Sequence, residues 1–150
     1  MSTWFEGTVE INCDFESVKQ SLADPARHFA GVVRQMPAIS EVELLEHGSG
    51  AVRIRTNEGV LQRRNIECTV LADSVLVRYD EIYEAGKKVT TSSHFEEEFT
   101  PTLTGVVFHT RVSDVQAPGL LGFLYRTFGA GSMGKAFLSS QKAFLESLRR

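Results

Sequence analysis

Apolar and polar residues alternate at the start of the chain. Over 3–13, Phe5, Val9, Ile11 and Cys13 share one side, and Trp4, Glu6, Thr8, Glu10 and Asn12 share the other, the pattern of a half-buried strand. Asp14 follows as an expected helix N-cap, its carboxylate placed to accept from the orphan N–H groups behind it. Phe15, Val18 and Leu22 then recur at helical spacing. Asp24-Pro25 ends that helix and opens a second one, since proline suits a first turn. Phe29, Val32, Val33 and Met36 carry this second helix to a stop near Pro37.

From Ile39 to Val115 the period becomes two. The pattern predicts six strands, over 39–46, 51–56, 60–71, 75–84, 87–100 and 106–115, joined by the short turns 47–50, 57–59, 73–74, 85–86 and 101–105. Successive strands with such short connections predict an antiparallel meander. From Pro118 to Arg150 the helical period returns, in one stripe of Leu120, Leu121, Leu124 and Phe128 and another of Phe137, Leu138, Gln141, Phe144, Leu145 and Leu148. Gly129, Gly131 and Gly134 lie between the stripes. Each costs about 1 kcal/mol relative to alanine in a helix, which predicts a kink or late start there; the segment reads either as a flexible entry to the helix or as a hinge that gates an interior.

The order is therefore β-αα-β6-α. A curved seven-stranded sheet cannot bury its concave face alone. The C-terminal helix is the one long amphipathic element able to cover it, with the two short helices closing one end.

Composition narrows the class. The 150 residues, 42% hydrophobic and 23% charged, fit one globular domain spanning 1–150. No apolar run approaches the ~20 residues of a membrane span, and the N-terminal MSTWFEGTVEI lacks the basic segment of a signal peptide. A cytoplasmic location with both cysteines reduced is expected. A net charge of −3 gives no general attraction to nucleic acid. Arg53, Arg55, Arg63, Arg64, Arg78 and Arg111 are interleaved with acids, as on an ordinary outer sheet face.

Several chemical motifs fall away on spacing. Gly129-Ala-Gly-Ser-Met-Gly-Lys-Ala136 ends without the hydroxyl residue of a phosphate-binding loop. His28, His47, His94 and His109 lack metal-ligand spacing, and His94 and His109, the two on adjacent strands, fall on the solvent side. No metal or cofactor is expected. Cys13 and Cys68 both lie on apolar strand faces and read as buried, inert thiols.

Four stretches together resemble a known family. Val9-Glu-Ile-Asn-Cys-Asp-Phe-Glu-Ser-Val18 resembles its strand-to-helix entry and Leu76-Val-Arg-Tyr79 its central strand. Phe95-Glu-Glu-Glu-Phe-Thr-Pro101 with Thr104-Gly-Val-Val-Phe108 resembles its last hairpin, and Ala117-Pro-Gly-Leu-Leu121 its C-terminal element. The family is the START-like, helix-grip superfamily of polyketide cyclase/dehydrase and lipid-transfer proteins. The resemblance implies an α+β fold with a cavity between sheet and helix that holds a small hydrophobic molecule. It brings no shared catalytic residues.

Polar residues in phase with the apolar faces are the candidates for that interior. Counting by twos from Ile66, Cys68 and Val70 reaches Arg64 and Gln62; from Val75, Val77 and Tyr79 it reaches Glu81 and Tyr83; from Phe95 and Phe99 it reaches Ser93 and Glu97. Either the strands leave the core at these points, or a bulge reverses the phase, or the residues line a cavity. On the last reading Arg64, Tyr79, Glu81 and Glu97 orient a ligand, with Phe95, Phe108, Phe123, Phe128 and Phe137 as apolar wall and Phe5, Val9 and Leu138 beside them. Carriage of a lipid-, polyketide- or aromatic-like ligand is the reading this favours. A cyclase or dehydratase using Tyr79 with Glu81 or Glu97 as acid and base is the alternative, and an interaction module with a filled cavity is the second. The apolar run Leu120–Tyr125 with Phe128 is a candidate for transient contact with a membrane during transfer.

Overall fold

A computed structural model describes residues 2–85, 89–117 and 130–148. Its elements are β1 (Thr3–Ile11), α1 (Phe15–Leu22), α2 (Pro25–Arg34), β2 (Val42–His47), β3 (Ala51–Thr56), β4 (Val60–Val70), β5 (Val75–Ala85), β6 (Val89–Pro101), β7 (Val106–Gln116) and α3 (Ala130–Ser147). The strands form one curved antiparallel sheet in the order β1-β7-β6-β5-β4-β3-β2. Strands β2 to β7 are the meander, and β1 closes onto β7 with Val9 opposite Phe108. Fold class and element order are those of the alternation pattern.

The concave face holds the core. Val52 and Ile54, Leu61, Val75, Val77 and Tyr79, Phe95 and Phe99, and Phe108 and Val112 come from successive strands. Phe99 packs against Phe108 in a tilted pair at 4.8 Å between ring centroids, and Phe137 of α3 meets Phe108 at 6.0 Å. Helix α2 is buried on most of its surface, at Ala26 and from His28 to Val33, because it is wedged between α3 and the β2–β3 hairpin.

Several details depart from the sequence pattern. Asp14 caps α1 by position only, its side chain making no cap hydrogen bond, whereas the Asp24 carboxylate accepts from Arg27 N at 3.3 Å at the start of α2. Cys13 lies just past the end of β1 and is buried, and burial pushes its thiol up to about 11. Cys68 is exposed, contrary to expectation. It pairs with Val77 on the concave side, but the far end of β4 is left uncovered, and Val70 beyond it is 55% exposed. His94 and His109 do lie on adjacent strands but are not cross-strand partners: His94 bonds Asp80 at 2.8 Å and His109 bonds Glu6 at 2.7 Å.

Helix α3 runs unbroken through Gly131 and Gly134, so these two glycines do not delay it. Gly129 and the stripe Leu120–Phe128, with the membrane-contact candidates, lie outside the described residues. The two helical glycines serve different ends. A Cβ on Gly134 would overlap the Phe5 ring, so the missing side chain lets α3 sit down on β1. A Cβ on Gly131 meets nothing within 4 Å. Gly131→Ala should therefore stabilise the fold by up to about 1 kcal/mol, and Gly134→Ala should destabilise it by about 1–3 kcal/mol through overpacking. Urea titrations of the two variants check both signs.

Candidate functional site

A pocket of about 420 Å³ opens between the sheet and the helices. Its walls come from the end of α2 and the loop after it (Val32, Met36, Ile39), from β4 and β5 (Leu61, Arg63, Glu81, Tyr83), and from β6, β7 and α3 (Phe95, Val112, Phe137). The volume lies within the roughly 300–1,000 Å³ of small-molecule sites. The lining is mostly apolar, with one guanidinium set into it.

That guanidinium belongs to Arg63, not to the expected Arg64. The reason is a β-bulge. Asn65 takes a left-handed conformation (φ 56°), and the β4–β5 register shifts between Arg64 and Glu67. Upstream of the bulge the odd residues Leu61 and Arg63 face inward; downstream the even residues Ile66 and Cys68 do. Counting back from Ile66 crosses the bulge and lands one residue off. Arg64 is exposed and donates to Gln62 Oε1 on its own strand. The sequence did hold a signal, since asparagine is poor within strands and tolerates the left-handed region.

Arg63 is 4% exposed. Its Nε donates to Glu81 Oε2 at 3.0 Å. The guanidinium carbon lies 4.5 Å from the Phe29 ring centroid, 4.6 Å from Tyr79 and 5.7 Å from Phe95. Three rings thus cage the cation, a favourable placement over their negative faces. Burial opposes its charge, but Tyr79, Glu81 and Glu97 outweigh burial and hold its pKa above the ordinary value. A guanidinium has five N–H donors. Glu81 engages Nε–H, and no other described residue accepts from the rest.

Behind this cage lies a second polar pair. The Tyr79 hydroxyl donates to Glu97 Oε2 at 2.6 Å, and both residues are buried. Burial raises Glu97 to about 7, against the lowering effects of the Tyr79 hydrogen bond and Arg63. Burial also keeps the Tyr79 phenol well above its ordinary value, so it stays protonated. Among the described residues Glu97 Oε1 and Thr110 Oγ1 have no hydrogen-bond partner, and the two residues are register partners on β6 and β7.

Of the residues singled out from sequence, Glu81, Phe95 and Phe137 border the pocket. Tyr79, stacked on Phe95, and Glu97, bonded to Tyr79, do not border it, and Phe108 is packed against Phe99 and Phe137. Phe123 and Phe128 lie outside the described residues.

His28, dismissed from the sequence as a metal ligand, is a buried polar residue. Its Nδ1 lies 2.7 Å from Ser21 Oγ and its Nε2 2.9 Å from Gln141 Nε2, so one ring joins α1, α2 and α3. Burial, with Arg63 adding to it, lowers His28 to about 3 and keeps it neutral. Its position four residues before Val32 places it on a helix face that is buried, the signal that was there to read.

No family model and no curated protein matches the chain. Solved structures do. A protein from Chromobacterium violaceum superposes with a TM-score of 0.64 at 13% identity, covering 95% of this chain and 96% of that one. A STAR-related lipid transfer protein from Xanthomonas axonopodis gives 0.59 at 17% identity, covering 97% and 85%. The di-domain aromatase/cyclase StfQ of the steffimycin biosynthetic pathway gives 0.51 at 16% identity, covering 98% of this chain and 52% of that one. The fold is the START-like helix grip. In this helix grip α3 is the gripping helix, and the pocket lies between it, α2 and the concave sheet.

Proposed function

We propose that this helix-grip chain binds and carries a small, largely apolar molecule in the pocket, with Arg63 holding its polar end. The single observation that carries the reading is the buried Arg63 guanidinium at an apolar pocket wall, where Glu81 accepts from Nε and no other described residue accepts from the remaining N–H groups. A buried N–H group gains most when an acceptor reaches it, and a few placed polar groups in an apolar site fix a ligand's orientation. The lipid-transfer and polyketide-cyclase neighbours support a hydrophobic ligand in general terms.

One observation favours the second reading, an acid–base enzyme. Glu97, raised to about 7 and bonded to Tyr79, has the protonation behaviour of a general acid–base group. Because neither residue borders the pocket, a substrate held there does not touch them, which weighs toward carriage.

Fluorescence titration with the neutral dye Nile red tests the site. Ser93 lies on the pocket wall, and Ser93→Trp should fill the space and weaken dye binding by at least about tenfold, or 1.4 kcal/mol. Unchanged affinity in a folded variant would move the dye elsewhere, for example to the more polar cleft by Ser21, Arg27 and Phe144.

A further inference from the structure

The charges that the described residues bring to the pocket are two carboxylates and one guanidinium: Glu81 beside Arg63, and Glu58 at the rim. Elements β1, β7 and α3 contribute Trp4, Val112, Val115, Met133 and Phe137 to it, none of them charged. The Arg63 and Glu81 side chains are 5% and 17% exposed, so their attraction is little screened by solvent. Arg63 is therefore already balanced. Behind it, Glu97 presents a further carboxyl group through Tyr79.

A ligand carboxylate brought to the Arg63 N–H groups that no described residue engages would share that one cation with Glu81. Two like charges on one partner in a water-poor site disfavour each other strongly, and the incoming anion also loses its hydration. An uncharged oxygen, as in a ketone, ester or alcohol, accepts the same N–H bond and leaves the balance intact. The geometry points to Glu81 as the residue that sets the charge of the ligand: the pocket takes an uncharged, acceptor-bearing apolar molecule and turns away its carboxylate or sulfonate counterpart. This rests on the carriage reading above.

Two dyes that share one ring system, neutral N-phenylnaphthylamine and anilinonaphthalene sulfonate, test it by fluorescence titration of the full chain. The neutral dye should bind the unaltered protein at least about tenfold more tightly. Glu81→Gln leaves the Arg63 charge uncompensated and should move the ratio at least about tenfold toward the sulfonate. Glu58→Gln, at the exposed rim, should move it the same way by a smaller factor, which covers the case in which Glu81→Gln does not fold. Equal or tighter sulfonate binding by the unaltered protein, with the neutral dye bound, overturns the inference and leaves the carriage reading standing. An unchanged ratio in folded Glu81→Gln does the same. Failure of the neutral dye to bind removes the carriage reading and this inference with it.

Discussion

Arg63→Ala should lower folding stability by about 3–5 kcal/mol, the usual cost of removing one partner from a buried ion pair. The loss has identifiable parts. Glu81 is left without the cation it meets at 3.0 Å. The Phe29, Tyr79 and Phe95 rings lose the group they cage. Glu97 loses a charge that favours its ionised form and should titrate higher still. Removing both charges at once is a different experiment. Arg63→Met with Glu81→Gln should cost far less than the alanine variant, since a buried pair replaced by apolar or neutral groups of similar volume is often nearly neutral. Urea unfolding of the two variants checks the ordering. A double variant as unstable as Arg63→Ala would mean that packing, not charge, holds this corner together.

The dependence of stability on pH should show a plateau with an acid limb. His28 has a folded value of about 3, below its ordinary 6.5. The unfolded chain therefore binds more protons in between, and the stability His28 contributes is complete above 6.5 and is lost as pH falls toward 3. The slope is about 1.4 kcal/mol per pH unit. Glu97 runs the other way. Its folded value of about 7 lies above its ordinary 4.5, so its contribution is complete below 4.5 and is lost as pH rises toward 7. Between about 4.5 and 6.5 the two slopes oppose and cancel. Below 4.5 the His28 slope is no longer opposed and is joined by that of Asp80, which hydrogen bonds from Asn65 and His94 hold below the usual carboxylate range. Chemical denaturation across pH should give a flat region over about 4.5–6.5 and a steep fall beneath it. Glu97→Gln removes one of the opposing slopes, and its stability should rise with pH across the same interval. A flat profile for Glu97→Gln there would contradict the assignment of both groups.

Why the sheet was legible while its interior was not follows from one residue. Strand phase read by twos places Tyr79, Glu81, Phe95 and Glu97 on the inner face, where they are. The same rule carried along β4 selects Arg64, because no periodicity reports the left-handed Asn65 between the two halves of that strand. A single inserted residue turns every side chain upstream to the other face, so the cation of the site moved by one position. Depth was equally hidden. Tyr79 and Phe95 are on one face, stacked at 5.0 Å, yet only Phe95 borders the pocket, since that depends on how α2 and α3 press on the sheet. Helix α2 illustrates the point. Its apolar spacing predicts one buried stripe, but packing against α3, where Gly31 admits the Phe144 ring, buries nearly all of it, His28 included.

Native mass spectrometry of the chain as first purified, before any delipidating step, bears most directly on the carriage reading. A population heavier than the polypeptide by one small molecule, released on mild activation, is expected, and it should shrink in Ser93→Trp, where the larger side chain would take up pocket space. Only the bare polypeptide mass, together with no uptake of Nile red by the same sample, would contradict it.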